Sequence, residues 1–289
     1  MSIRRLGRLL KWWLIHVGPQ RDLEVETANG LLTFDSKDWL IGKYLYIRRS
    51  YEIEAVHRIP AFLQEKGYLP VRGKGSVLDV GANVGMICIA LLKYRYFERA
   101  VAFEPAPNSF RLLVKNLEQN ALRDRIVCFR CALSSAEGEL ELELSSDNSG
   151  DHRIRHAAVS GAFHEQRRRT VKIQARTLDS VFAEDAALRA EDVALIWLDI
   201  QGHEGQFFEG AREVLRRGMP VVSEIWPYAI LRSGMSRQRF GEIVSSLFSH
   251  FFLPQGEDFE KGSIAEIDVL FDTYAAPRQM CQVLLVRDP

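Results

Sequence analysis

The chain has 289 residues, and its 38 Lys and Arg balance 38 Asp and Glu, so the formal net charge is zero. With 47% hydrophobic and 26% charged residues it has the make-up of a folded globular protein, which excludes wholesale disorder. A protein whose main task is coating nucleic acid would show a basic excess, and none is present.

The first helical pattern places Ile3, Leu6, Leu10, Trp13, Leu14 and Val17 on one face and Arg4, Arg8 and Lys11 elsewhere. Lys11 interrupts the apolar run and no small-residue cleavage motif follows, so the segment reads as mature sequence and not as a signal peptide. No run reaches the roughly 20 apolar residues that span a bilayer. Such a helix packs on the domain or a partner, or lies on a membrane surface through its Trp, Leu and basic residues. Residues 23–34 suggest a hairpin around Asn29-Gly30. Residues 50–66 read as a helix with Ile53, Val56, Ile59 and Phe62 inward, and Pro60 interrupts it or marks its edge.

From Ser76 strand and helix signals alternate. Strands are expected at 77–80, 100–103 and 126–131, with helices at 86–94 and 108–120 between them. Residues 139–144 alternate strictly, and 171–175 reads as another strand. Residues 145–169 between them have no periodicity, and so long a stretch in a compact domain is functional or mobile. Further strands are expected at 193–198, 220–223, 264–271 and 279–286, and helices at 204–216 and 237–251. This alternation implies an α/β fold with a parallel-rich sheet covered on both faces. Cys88, Cys128, Cys131 and Cys281 are too few for a disulfide scaffold, and Cys128 and Cys131 lack the second ligand pair of a zinc site.

The most informative stretch is Val77-Leu78-Asp79-Val80-Gly81-Ala82-Asn83-Val84-Gly85. A buried strand delivers Asp79, and Gly81 and Gly85 turn the chain into a helix. This is neither the phosphate loop nor the dinucleotide turn, both of which cradle phosphate on backbone N–H groups. Asp79 puts negative charge where a phosphate would sit. Glu104 ends the next strand, placed to accept hydrogen bonds from a ribose diol. Adenosine with a cationic amino-acid tail satisfies both, and S-adenosylmethionine is that molecule. Asp79, Gly81, Ala82, Asn83, Gly85, Glu104 and Pro105, with Cys131 and Ala132 at the third strand end, are the expected cofactor residues.

These residues resemble a class I S-adenosylmethionine-dependent methyltransferase, and within that class the FkbM family. The family-like stretches continue with Phe103-Glu104-Pro105, Arg176-Thr177-Leu178-Asp179 and Trp197-Leu198-Asp199-Ile200-Gln201-Gly202-His203-Glu204. Ser223-Glu224-Ile225-Trp226-Pro227 completes them, so the resemblance covers roughly residues 75 to 228. Many members have Glu where this chain has Gln201. The resemblance implies a Rossmann-like fold with a mostly parallel seven-stranded sheet and helices on both faces. With the pattern along the chain, this gives an N-terminal helical and hairpin extension, 1–70, and a methyltransferase domain, 71–289, with a long loop insertion at 145–170. The resemblance also implies methyl transfer to a hydroxyl oxygen of a sugar, glycan or secondary metabolite.

An alcohol oxygen needs a base or a metal to take up its proton. Asp199, His203 and Glu204, at the fourth strand end and the start of the next helix, are the expected catalytic residues. In one mechanism His203 or Asp199 is the general base. In a second, Asp199, Glu204 or Glu224, together with Asp151, hold a divalent cation such as Mg2+, and positioning alone is the third alternative. Asp151, His152, Glu224 and Trp226 are expected to face the acceptor. Blander readings stand beside these: Glu204 favours its helix dipole, His203 lies on the surface, and Asp179 caps the following helix. Arg153, Arg155, Arg167, Arg168 and Arg169 form a solvated face or attract an anionic acceptor.

An RNA methyltransferase is the enzymatic alternative, and a non-catalytic S-adenosylmethionine-binding protein the other. Enzymes that methylate base amines commonly carry an Asn/Asp-Pro-Pro-aromatic turn, but this position reads Asp199-Ile200-Gln201-Gly202. No nucleic-acid partner is therefore expected. The expected location is cytoplasmic, with peripheral contact at the inner membrane surface through residues 1–17. The same helix face equally suits a homo-oligomer.

Overall fold

The computed structural model describes residues 3–156 and 161–288, with side chains from residue 5 onward. Helix α1 (Ile3–Val17) leads into hairpin strands β1 (Asp22–Thr27) and β2 (Gly30–Asp35), then α2 (Ile41–Arg48) and α3 (Ile53–Glu65). Alternating units follow: β3 (Ser76–Val80), α4 (Met86–Lys93), β4 (Arg99–Phe103), α5 (Pro107–Gln119) and β5 (Ile126–Phe129). Next come β6 (Ala132–Leu133), β7 (Gly138–Leu144), β8 (Arg153–Ile154) and β9 (Arg169–Arg176). The chain continues through α6 (Leu178–Glu184), β10 (Val193–Leu198), α7 (Glu204–Glu209), α8 (Arg212–Leu215), β11 (Val221–Ile225) and α9 (Pro227–Arg232). It closes with α10 (Arg237–Leu247), β12 (His250–Gln255), β13 (Asp258–Ser263), α11 (Val269–Thr273) and β14 (Cys281–Val286).

The main sheet has eight strands in the order β13-β12-β14-β11-β10-β3-β4-β5. Strands β5, β4, β3, β10 and β11 run parallel, and β14 is antiparallel to both β11 and β12. The expected Rossmann-like sheet is present, with β13 added at its edge. Side chains of β4 alternate between two cores, as the pleat requires. Ala100 and Ala102 join the cluster under α4 and α5, and Val101 and Phe103 join the one built by Phe207, Phe208 and Phe240. A separate four-stranded sheet, β6-β9-β7-β8, rises from the residues that follow β5. The long aperiodic stretch is thus partly ordered. It holds β8 and short 3-10 turns at Ser149–Asp151 and Glu165–Arg167.

Several local expectations shift. Residues 264–271 form a 3-10 turn and α11, not a strand, and the hairpin β12–β13 precedes them. That hairpin was hidden because β13 is polar and mostly exposed, without an apolar face to mark it. The helix expected at 204–216 breaks into α7 and α8. At the break, a Cβ on Gly210 would lie 1.9 Å from the Ser134 carbonyl oxygen, so the helix end admits another loop's backbone. Pro60 stays inside α3. Asp179 does not cap its own helix: Thr177 Oγ1 accepts from Ser180 N there, while Asp179 accepts from Glu213 N and Val214 N of α8. The expected inner face of α1 is exposed at Leu6, Leu10, Trp13, Leu14 and Val17, and the helix packs instead through fully buried Trp12.

The hairpin turns at Ala28-Asn29, one residue earlier than expected, because Asn29 is a buried bracket. Its amide donates to Tyr51 O and Met86 O and accepts from Tyr51 N. On β2, Asn116 accepts from Thr33 N at 2.7 Å and donates to Thr33 O and Val84 O. Asn120 accepts from Leu31 N and donates to Leu31 O. Side-chain amides of α5 therefore do for the β2 edge what a neighbouring strand would do. Asn116→Ala leaves three buried backbone groups without partners, and is expected to lower unfolding stability by about 2–3 kcal/mol. Denaturant titration checks this, and an unchanged midpoint would remove the amide's assigned role.

Candidate active site

The turn after β3 is held by its own strands. Gly81 N and Ala82 N both donate to Phe103 O, at 2.9 and 3.0 Å, and Asn83 N donates to Glu104 Oε2 at 2.8 Å. These three donors are thereby committed, so they are not a phosphate cradle. The glycines serve close packing. A Cβ on Gly81 would lie 1.9 Å from the Asp199 carbonyl oxygen, and one on Gly85 would meet Leu113 at 2.7 Å. Both residues have φ near +90°, which favours glycine. Asn83 takes a left-handed φ of 49° and donates to Ser149 Oγ, while its Oδ1 is buried without a partner.

One cleft is lined by Asp79, Gly81, Ala82, Asn83, Glu104, Pro105, Cys131 and Ala132, all expected cofactor residues. Gly85 is not among its lining residues and lies behind the turn. Asp79 accepts from Cys88 N at 3.0 Å, tying the strand end to α4. Glu104 accepts from Asn83 N and Ala106 N, both at 2.8 Å. Burial still raises these acids, Asp79 to about 6 and Glu104 to about 7.

Asp199 and His203 also line the cleft. Asp199 Oδ1 accepts from Gln201 Nε2 at 2.5 Å, and the same nitrogen donates to Glu224 Oε2 at 3.2 Å. Gln201 is thus a neutral clamp between two carboxylates. Burial raises Asp199, and burial together with the Asp199 charge raises Glu224 well above its ordinary range. Glu204 is buried beneath the turn, accepts from Gly202 N at 3.1 Å, and does not line the cleft. Its pKa rises to about 7 through burial. His203 is buried, not on the surface, with Nε2 2.9 Å from Ser134 Oγ and Nδ1 without a partner. Burial lowers it to about 4, so it is neutral at physiological pH.

The suggested cation ligands do not fit a metal. Gln201 donates between Asp199 and Glu224, and Glu204 is turned to the backbone of its own loop. Among the described residues no group of three or more His, Cys, Asp or Glu side chains is arranged to hold a metal ion.

The sequence matches the family described as the methyltransferase FkbM domain over residues 79–255, more than half of the chain. The chain belongs to the FkbM methyltransferase family. The 2-O-methyltransferase NoeI of Sinorhizobium fredii is 27% identical over 189 residues, covering 62% of this chain and 72% of that protein. Methyltransferase sdnD of Sordaria araneosa is 25% identical over 175 residues, covering 52% and 66%. The structure is also similar to a methyltransferase FkbM of Methylobacillus flagellatus KT, with 13% identity and a TM-score of 0.45. That match covers 98% of this chain and 59% of the other.

In this FkbM-family chain the expected acceptor residues are dispersed. His152 lines the cleft, accepts from Ser145 N at 3.1 Å, and is lowered to about 4 by burial and then by Arg168. Asp151 is spent on ion pairs with Arg153 and Arg168. Trp226 donates to Pro277 O and lies 4.2 Å under the Arg153 guanidinium, outside the cleft wall. Glu224 does not line the cleft; it hydrogen-bonds Gln201, and its charge acts on Tyr51 and Glu52. Arg153 and Arg155 are neither a solvated face nor a free anion lure. Arg153 pairs with fully buried Glu165 at 2.8 Å, and Arg155 with fully buried Glu143 at 3.0 Å.

Residues that sequence reasoning missed are Ile41, Tyr51 and Glu52, which line the cleft from the α2–α3 segment. Glu52 has a left-handed φ of 46°, and burial and then the Asp199 charge raise it to about 7. No local pattern marks these positions, because the buried Asn29 bracket is what carries Tyr51 to the site.

Glu52, Asp79, Glu104, Asp199, Glu204 and Glu224 therefore crowd one another, and among the described residues no Lys or Arg is a leading influence on them. Carboxyls raised on folding stabilise the fold below their unfolded pKa and lose that contribution as pH rises through about 6 to 7. His152 and His203 act in the opposite direction, but only below about pH 6.5. The ligand-free melting temperature is thus expected to fall between about pH 6.5 and about pH 8. A flat or rising melting curve over that window would contradict the uncompensated cluster.

Proposed function

We propose that this chain is an S-adenosylmethionine-dependent O-methyltransferase that methylates a hydroxyl of a sugar, glycan or secondary metabolite. The observation that carries the reading is the set of cleft carboxyls, beside which the described residues place no Lys or Arg. A ligand bearing a sulfonium and an ammonium supplies that missing charge, whereas a pyrophosphate meets only like charge. The partnerless Asn83 Oδ1 offers a further acceptor, and Glu104 keeps lone pairs for a ribose diol. The name of the Sinorhizobium fredii relative, a 2-O-methyltransferase, supports oxygen as the acceptor atom.

S-adenosylmethionine supplies a methyl group activated on sulfur. The residues of this chain then position the acceptor and manage one proton. Asp199 is the general base. Gln201 fixes its Oδ1, which leaves Oδ2 for the acceptor hydroxyl, and burial raises its proton affinity. The cleft residues would hold the acceptor oxygen in line with that methyl group, and Asp199 would take up the proton that the hydroxyl gives up as its oxygen is methylated. Neutral His203, anchored through Ser134, positions the hydroxyl through its free nitrogen. A second cleft shares His203 and is lined by Ser134, His156, Gln206, Ser236 and Arg239, hydrogen-bonding groups suited to a polyol.

Two measurements test this. Calorimetric affinity for S-adenosylmethionine is expected to increase from about pH 6 to about pH 8, because the carboxyls must ionise to meet the cation; affinity independent of pH would count against that pairing. Asp199→Asn is expected to lower kcat by about a hundredfold to ten-thousandfold while adenosylhomocysteine binding persists. His203→Gln is expected to act mainly on acceptor KM. The opposite pattern would make His203 the base.

A further inference from the structure

Helix α1 presents much of its apolar surface to solvent. Leu6, Leu10, Trp13, Leu14 and Val17 are 47% to 63% exposed, on the face away from buried Trp12. Trp39 precedes α2, and Leu40 and Tyr44 sit at its start; all three are exposed, and α2 packs against α1. Five leucine, tryptophan and valine side chains on one helix, continued by three more residues beside it, exceed the scattered exposure normal on a surface.

The two segments that carry this patch bear charge of one sign. Residues 1–21 and 39–51 contain no Asp or Glu, although the chain as a whole is neutral. Among the described residues, the first Lys or Arg along the chain to form an ion pair is Arg58, with Glu54. Arg5, Arg8, Lys11, Lys43, Arg48 and Arg49 precede it. Lys43 instead lies 4.2 Å over the Trp39 ring and Arg48 4.6 Å over Tyr44. Cationic heads borne on apolar and aromatic surface match the boundary between lipid headgroups and acyl chains. A second copy of this chain would bring like charges together.

We propose that the α1–α2 face docks on an anionic bilayer surface, with its leucines and tryptophans at the acyl boundary and its Lys and Arg among the headgroups. No helix among the described residues is long and apolar enough to cross a membrane, so the contact is peripheral. Ile41 of α2 lines the cleft, which sets the cleft beside the bilayer.

Flotation of the full chain with vesicles tests this, and needs no turnover, so its outcome is separate from that of the methyl-transfer reading. The protein is expected to float with phosphatidylcholine vesicles containing about one-third phosphatidylglycerol, and not with phosphatidylcholine alone. Leu10→Asp with Leu14→Asp, both at exposed positions, is expected to reduce the bound fraction about tenfold with the circular dichroism spectrum unchanged. Lys43→Glu with Arg48→Glu is expected to do the same. The proposal is overturned by no flotation with the anionic vesicles, by equal flotation with neutral ones, or by unimpaired flotation of both variants. It is also overturned by a lipid-free dimer, seen in sedimentation velocity, that the leucine substitutions dissolve.

Discussion

The Asp199 carbonyl occupies the space that a side chain on residue 81 would fill. This single approach joins the ends of β3 and β10, reinforced by Asp199 N donating to Val80 O at 2.9 Å. Gly81 tolerates it because it has no Cβ and adopts a positive φ. Everything functional follows from that proximity. The glycine turn that lines the cleft and the carboxylate proposed as base are brought together by one backbone contact. Any side chain at position 81 would separate the two strand ends before it touched a ligand.

The same closeness creates an electrostatic cost. Burial raises the pKa of the carboxyls gathered at the strand ends, and their charges on one another add to it. The protein contains enough Arg and Lys to neutralise them, yet spends these elsewhere. Arg153, Arg155 and Arg232 serve Glu143 and Glu165 under the second sheet. Gln201 is the one polar clamp between Asp199 and Glu224, and being neutral it leaves the negative charge in place. A cleft left acidic in this way costs the fold stability, a cost that the proposed cationic cofactor would relieve.

The N-terminal elements are part of this cleft and not an ornament beside it. Asn29 reaches the backbone on both sides of the site, at Tyr51 and Met86. Asn116 does the same between β2 and Val84 of the glycine turn. Through these amides the hairpin carries Tyr51 and Glu52 over the carboxyl ends of the strands. Helix α1, packed by Trp12 against Phe34 and Tyr46, is anchored to the same body while its opposite face stays open.

Local pattern in the sequence determined the strand–glycine–helix unit at residues 77–94 and the alternation that follows it, and eight of the nine residues it marked for a cofactor line one cleft. These were legible because a strand end, a glycine turn and an acidic residue are set by neighbours in the chain. Tertiary structure alone decided the rest. It removed Glu204, Asp151 and Trp226 from the cleft wall by giving each a nearer partner, and it brought in Ile41, Tyr51 and Glu52 from about thirty to forty residues before the glycine turn. It also hid the polar strand β13 and turned the apolar stripe of α1 outward. Hydrophobic periodicity says that a face is apolar. Which surface covers it, and which charges meet across a cleft, depends on contacts between distant residues that no local window contains.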